Sequence, residues 1–289
     1  MQGSYRFERV GASADELQEV VALLTTVWPK AGFDLSYLRW LYRQNPVGVA
    51  IGFNAWYGSS LAAHYVVIPC RVIFDGGEVK AALSLNTATH PAHQGRGLFT
   101  RLASLTYEVA ASEGFHHIFG VGNARSTPGL VEKLGFQLVG RLEARLSLWP
   151  PSLKRDLGRS VRWRRLWSSE ELAWRLANPR GQYSWRRWRA TTQYLAHTGH
   201  WGIRAILGVV PGSPPTTVVP SSLRRLRGWY PFIWLGFSNE LQFCRLLSFD
   251  LPVSWRPSPL NFVYLPLSSG SGLLDRSTVE FSTIDFDAY

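Results

Sequence analysis

Between Thr89 and Thr100 the chain reads Thr-His-Pro-Ala-His-Gln-Gly-Arg-Gly-Leu-Phe-Thr. Gly95 and Gly97 flank Arg96 just where a strand-like run gives way to an apolar-periodic one. Glycine permits a sharp backbone turn and a close approach to a ligand that a Cβ would block. A helix opening after such a turn exposes unpaired N–H groups backed by the positive end of its dipole. Together these features make a cradle for a pyrophosphate, to which Arg96 and the Thr100 hydroxyl add donors. A plain strand-to-helix connection would use the same two glycines, so the surrounding elements have to decide.

Those elements alternate through the first half. Ser13 and Glu16 form a capping box ahead of Leu17, Val20, Val21 and Leu24, and Pro29 ends that helix. Asp34 and Ser36 open a second helix carrying Tyr37, Leu38, Trp40 and Leu41, which must stop at Asn45 because Pro46 follows. Strand-like runs cover 49–57, 61–69, 71–74 and 79–89, with a turn at Gly76-Gly77. After the glycine loop, Leu98, Leu102, Leu105 and Val109 form one stripe of a helix ending near Ser112. Residues 116–122 read as a buried strand, 123–128 as a loop, 129–134 as a short helix and 136–149 as a strand, before Pro150-Pro151.

The stretch 89–100 closely resembles the acyl-CoA loop of the GNAT superfamily of N-acyltransferases, Gln/Arg-x-x-Gly-x-Gly/Ala after a strand ending in Val-x-Pro. Thr89-His90-Pro91 stands at the strand end, and Gln94, Gly97 and Phe99 stand at the loop positions, Phe99 replacing the usual small residue. Asn123 and the run Val131-Glu132-Lys133-Leu134-Gly135-Phe136 resemble the second signature, Asn … Tyr-x-x-x-Gly-Phe. The resemblance implies an α/β (α+β) GNAT fold: a mixed, mostly antiparallel central sheet flanked by helices. A V-shaped opening is expected between the strands ending at Thr89 and Gly122. It also implies acetyl-CoA or another acyl-CoA as cosubstrate, with no metal. The coenzyme would meet Thr87, Thr89, Gln94, Gly95, Arg96, Gly97, Leu98, Phe99, Thr100, Asn123 and Thr127. A neutral primary amine would attack the thioester directly in a ternary complex, and a backbone N–H near Thr89 would steady the oxyanion.

The tyrosine that protonates the leaving thiolate in this superfamily falls on Val131. Ser126, Thr127 or a water must do that work, or the thiolate leaves unassisted. The base that takes the amine proton should sit near neutrality. Candidates are His64, Asn86 through water, His90, His93 or an acidic residue of the second half. His64 ranks first, because its strand is expected to face the opening. His116 and His117 read as structural, and the terminal run Asp285-Phe286-Asp287-Ala288-Tyr289 as a plain edge strand.

The second half carries partial echoes of the first. Trp40 to Asn45-Pro46 returns as Trp174 to Asn178-Pro179, behind a capping box at Ser168 and Glu171. Gly120 to Asn123 returns as Gly236 to Asn239. Where the glycine loop should recur, between Trp201 and Tyr230, stands Pro211-Gly212-Ser213-Pro214-Pro215. Two tandem copies are therefore expected, an acyl-CoA-binding domain at 1–149 and a degenerate one at 150–289.

Residues 150–289 hold 18 Lys+Arg against 9 Asp+Glu, and nine of the 13 tryptophans. That bias, within a net charge of +11, suggests an anionic acceptor such as a nucleotide-linked amino sugar. The alternatives are a macromolecule or antibiotic as acceptor, and a non-catalytic CoA-binding module. The runs 162–167 and 185–189 interleave Arg and Trp, which suits phosphates, a peripheral membrane contact or a strand with tryptophans inside; nucleic acid is not expected. A hydrophobic fraction of 46% excludes a disordered chain, and no apolar run approaches the ~20 residues of a membrane span. With two cysteines and no signal-like start, a reducing, cytoplasmic setting is expected.

Overall fold

Ser13 accepts a hydrogen bond from the Glu16 N–H and opens helix α1 (Ala14–Val27), after a first strand β1 (Tyr5–Arg9). The Glu16 carboxylate does not close the expected box on its own cap; it reaches the Gly11 N–H at 2.8 Å and the side chain of Asn54. Asp34 caps α2 (Leu35–Arg43), which ends two residues before Asn45-Pro46. Strands β2 (Ile51–Tyr57), β3 (Ser60–Phe74) and β4 (Gly77–Thr89) follow, then α3 (Leu98–Ser112) and β5 (His117–Gly122). The two runs expected at 61–69 and 71–74 form the single long strand β3. The strand expected over 136–149 is divided into β6 (Gln137–Arg141) and β7 (Glu143–Ser147) at buried Leu142. This computed structural model describes residues 4–11, 13–154, 161–200, 202–212, 223–256, 258–268 and 272–286.

The remaining elements are β8 (Ser152–Leu153), β9 (Trp163–Leu166), α4 (Ser169–Leu176), β10 (Tyr183–Trp188), β11 (Thr191–His197), β12 (Arg204–Pro211) and β13 (Arg224–Arg225). They are followed by β14 (Phe232–Phe237), β15 (Leu241–Gln242), β16 (Ser248–Asp250), β17 (Asn261–Pro266) and β18 (Val279–Ser282). Most of the strands join one mixed, largely antiparallel sheet of 16, with β8 and β15 forming a separate pair. Helix α3 packs on one face of the first-half strands against Tyr65, Val67, Ala82 and Ile118. Helices α1 and α2 cover the opposite face over Val66, Ile68 and Ala88.

Strands β2, β3 and β4 run antiparallel, and β4 then pairs parallel with β5. The second half repeats that order: β10, β11 and β12 are antiparallel, and β12 pairs parallel with β14. Each half also lends a strand to the other. Strand β17 lies between β5 and β6, β7 lies along β14, and β9 lies along β3. Sheet pairing therefore crosses residue 149 in both directions. Trp40 and Trp174 stack with ring centroids 4.9 Å apart, and each indole N–H donates to the other's backbone carbonyl, at 2.8 and 3.0 Å.

The arginine–tryptophan runs are divided between the interior and the surface, with Arg164, Arg187 and Arg189 exposed. Trp163 is fully buried, and Arg165 is buried, its guanidinium lying 3.8 Å over the Trp167 ring and donating to the Asp285 carbonyl. Arg186 points inward as well, donating to Gln193 and lying 4.1 Å over the Phe232 ring. The edge strand expected over 285–289 does not begin at Asp285, which is buried and ends one turn of 3-10 helix, Thr283–Asp285. Trp201, residues 213–215 of the proline run and residues 287–289 lie outside the described residues.

Candidate active site

The parallel pairing of β4 with β5 lasts only from Ala81–His117 to Ser84–Gly120. Its end is tight, since a Cβ built on Gly120 would stand 3.3 Å from the Ser84 carbonyl oxygen. Beyond it the strands part, and the edge of β4 from Leu85 to Thr89 that faces β5 has no strand partner among the described residues. The cause lies in β4, where Asn86 adopts φ +52° and the register against β3 slips between His64 and Val66. Asparagine tolerates this left-handed conformation better than most residues. The bulge bends β4 away from β5 and opens the expected V.

The glycine loop stands at the mouth of that V. Gly95 and Gly97 hold φ of +74° and +72°, and α3 begins directly at Leu98 with no side chain capping it. A Cβ built on Gly95 would meet no atom within 4 Å, and one on Gly97 only the Thr100 Oγ1 at 3.9 Å. The space ahead of the helix is therefore open, and the first-turn N–H groups of α3 are available to an anion there. This cradle fits the diphosphate of a CoA, and the unpaired edge of β4 fits an arm lying as an added strand.

The individual loop residues divide. Gln94, Gly95, Arg96 and Gly97 are exposed around the open space. The Leu98 side chain is buried in the core, so only its backbone faces the cradle. Phe99 turns inward onto Tyr65 and lies 3.4 Å from a Cβ built on Gly129, filling the place of a smaller residue. The Thr100 hydroxyl spends its proton on the Gly97 carbonyl at 2.8 Å, so it faces a ligand as an acceptor. Thr87 and Thr89 lie on the free edge of β4, with the Gln94 amide donating to the Thr89 carbonyl at 3.4 Å.

Across the opening, Asn123 folds its side chain back to accept from the N–H groups of Arg125 and Ser126. Ser126 is exposed, and its hydroxyl contacts the Asn123 N–H and side chain. The Thr127 hydroxyl donates to the Asn123 carbonyl at 2.7 Å and accepts from Asn261 at 3.0 Å, so its proton is engaged inside the chain. Val131 is a partly buried apolar neighbour of the core.

His64 does not face the opening. It is fully buried on the α2 side of the sheet, where Nδ1 meets Asn54 Oδ1 at 2.6 Å and Nε2 meets the Tyr42 hydroxyl at 2.9 Å. Burial depresses its pKa to about 3, which removes it as a base working near neutrality. His117 is likewise buried and depressed to about 3, accepting from the Trp163 indole. Asn86, a candidate from the sequence, stands on the bulge, and Tyr42, Tyr65, Ser84 and Tyr107, which the sequence did not single out as site residues, lie about it on both faces of the sheet. Asn86 donates from Nδ2 to the Tyr42 hydroxyl at 3.1 Å, and Tyr65 bonds Ser84 and Tyr107, each at 2.8 Å. Desolvation lifts the Tyr65 phenol to about 12. An asparagine inside an otherwise strand-like run was the available sign of the bulge.

The corresponding place in the second half is filled by the chain itself. Strands β12 and β14 pair only from Arg204–Phe232 to Ile206–Trp234, and β18 then takes the β14 edge at Gly236 and Phe237. The Thr283 hydroxyl contacts the Ile206 and Leu207 carbonyls at 3.0 and 3.3 Å, and Ile284 lies 3.1 Å from a Cβ built on Gly208. Among the described residues between β12 and β14 there is no helix, and among all described residues no His/Cys/Asp/Glu group could hold a metal. No described helix is long and apolar enough to cross a membrane.

Residues 11–139 match the family profile described as the acetyltransferase (GNAT) domain. Among solved structures, a conserved protein of Enterococcus faecalis V583, described as a probable N-acyltransferase, superposes with a TM-score of 0.60 at 10% identity. The match covers 91% of this chain and 73% of that one. A GCN5-related N-acetyltransferase from Anabaena variabilis ATCC 29413 superposes with a TM-score of 0.58 at 13% identity and the same coverages. At such identities the likeness is one of fold, and it extends through both halves. No curated protein matches the chain.

Proposed function

We propose that the chain transfers an acetyl or other short acyl group from acyl-CoA to a primary amine. The observation that carries this reading is the uncapped start of α3 behind Gly95 and Gly97, at the mouth of an opening whose β4 edge is unpaired. The diphosphate sits on the first-turn N–H groups, with Arg96 beside it. The pantetheine arm lies along Thr87 and Thr89, bringing the thioester to the fork. The amine nitrogen bonds to the carbonyl carbon, the C–S bond breaks, and the thiolate leaves, helped by Ser126 or water. The amine proton passes to solvent or to a nearby group other than His64.

The second half is proposed as a degenerate copy that binds no coenzyme, because its own C-terminal segment fills the equivalent opening. One acyl-CoA per chain is the consequence. The charge of +11 favours an anionic acceptor, and a nucleotide-linked amino sugar is the proposed class. Its phosphates would meet arginines other than Arg165, Arg175 and Arg186, which are buried. The test is calorimetry with acetyl-CoA, followed by thiol release across a panel of simple amines, amino sugars and amino-sugar nucleotides. Absence of heat with acetyl-CoA refutes the proposal. Heat without thiol release from any amine favours the CoA-binding module.

A further inference from the structure

A line of hydrogen bonds runs under the sheet from the start of α1 to the bulge of β4. The Gly11 N–H donates to Glu16 Oε1, and Asn54 Nδ2 donates to the same oxygen at 2.7 Å. Asn54 Oδ1 meets His64 Nδ1, His64 Nε2 meets the Tyr42 hydroxyl, and that hydroxyl meets Asn86 Nδ2. Asn54 and His64 are fully buried and Tyr42 is 2% exposed.

The direction of every bond follows from its first member. A carboxylate has no proton to donate. Glu16 therefore forces Asn54 to turn its NH2 toward it and its oxygen toward the imidazole. That oxygen requires a proton on His64 Nδ1, so Nε2 of the neutral ring is an acceptor. The Tyr42 O–H must then donate to Nε2, which leaves its oxygen to accept from Asn86 Nδ2. With its NH2 so engaged, Asn86 turns Oδ1 away from Tyr42, and no described group donates to it. Asn86 is partly exposed on the unpaired stretch of β4.

We propose that Glu16, Asn54, His64 and Tyr42 act together as positioning residues that fix the Asn86 amide with its oxygen toward the opening. There it accepts a hydrogen bond from the N–H of the incoming amine and holds the lone pair toward the thioester. The role of the oxygen rests on the acyl-transfer reading above, whereas the polarity of the chain does not. Neutral His64 is integral to the device, and its depressed pKa agrees with this.

Nitrogen-15 spectra of the labelled full-length protein test the polarity directly. His64 is expected as the single Nδ1–H tautomer, without titration between about pH 5 and 8. An Nε2–H tautomer, or titration near the ordinary histidine value, overturns the proposal. In Glu16→Gln the terminal group can donate as well as accept, and His64 is expected to become a mixture of tautomers. An unchanged tautomer overturns the claim that Glu16 sets the polarity. Tyr42→Phe should speed solvent exchange of the Asn86 side-chain amide about tenfold while leaving acetyl-CoA affinity within about twofold, the loss of one buried hydrogen bond. In the thiol-release assay Asn86→Gly, which removes the amide and still permits the left-handed backbone of the bulge, should raise KM for the amine about three- to tenfold with acetyl-CoA affinity intact, and an unchanged KM overturns the contact. If acetyl-CoA gives no heat with the unaltered protein, the acyl-transfer reading fails, while the spectra still decide the chain.

Discussion

Gly97→Val separates a glycine that serves a ligand from one that only turns the chain. At φ +72° a side chain costs about 1–2 kcal/mol, and somewhat more when β-branched. The only atom near the built Cβ is the Thr100 Oγ1 at 3.9 Å, so the cost is torsional and little of it comes from packing. For a chain of this size such a loss lowers Tm by about 2–8 °C. The effect on acetyl-CoA should be far larger. The isopropyl group would occupy the space ahead of α3, where a diphosphate would take charge-assisted bonds each contributing about 1.5–3 kcal/mol. Loss of two such bonds is about 3–6 kcal/mol, or about a hundredfold to ten-thousandfold in Kd. Gly76→Val is the control, because Gly76 holds φ +83° in the β3–β4 turn with nothing within 4 Å of its Cβ. It should lower Tm similarly and leave acetyl-CoA binding alone. Calorimetry and thermal melting of the three proteins decide the matter. If Gly97→Val melts early yet binds acetyl-CoA as tightly as Gly76→Val, the cradle is refuted and Gly95-Arg96-Gly97 is a connection only.

Burial lifts the Glu280 carboxyl to about 7, against 4.5 for the ordinary group. The folded chain then binds this proton more tightly than the unfolded one, so its contribution is intact below pH 4.5, falls as pH rises through 7 and is lost above it. Glu280→Gln should flatten that decline in a series of denaturant midpoints against pH. His117, depressed to about 3, acts in the opposite sense: its contribution is present above pH 6.5 and lost as pH falls toward 3. His117→Gln should soften the acid side of the same series. Arg175 donates to the Ile284 and Phe286 carbonyls and to the Tyr183 hydroxyl. Arg175→Met should cost about 3–5 kcal/mol in urea unfolding, because buried acceptors lose their partners, and should speed amide exchange in 279–286. Titration with acetyl-CoA should give one site per chain, and a second site of similar affinity would contradict a filled second opening.

What could be read from the sequence was local. The bounds of α3, the turn at Gly76, the Asp34 cap and the Ser168 box depend on residues within four positions of one another and stand as expected, while at Ser13 only the half made by its own hydroxyl forms. The V between β4 and β5 was legible only through the resemblance, since its cause is a bulge whose register is set by β3. His64 was misread because strand alternation says that a residue faces one side of a sheet, and not which side carries the opening. Its side is fixed by α2, through Tyr42. Arginines at 165 and 186 were illegible as core residues for a similar reason. Their partners, the Asp285 carbonyl and Gln193, become neighbours only when the strands pair. Nothing local signals that β17 leaves the second half to lie between β5 and β6.

The different ends of the two parallel pairs account for much of the odd chemistry of the second half. An unpaired strand edge inside a fold must be satisfied by something, because buried N–H and C=O groups without partners are costly. Beside β4 the edge stands at the open mouth of the molecule, with the uncapped helix and its glycines beyond it. Beside β12 and β14 no described helix follows, and the chain supplies its own strand and turn, β18 and residues 283–285. That segment in turn brings backbone carbonyls and Asp285 into the interior, where they need donors. Arg165, Arg175 and the Trp167 indole provide them. Two arginines and one tryptophan of the second half are thus accounted for by the segment that lies beside β12 and β14. Arg165, Arg175 and Arg186 therefore belong to the interior and not to an anion-binding surface, and the exposed Arg96 beside the open cradle is a stronger pointer to anion binding than these three.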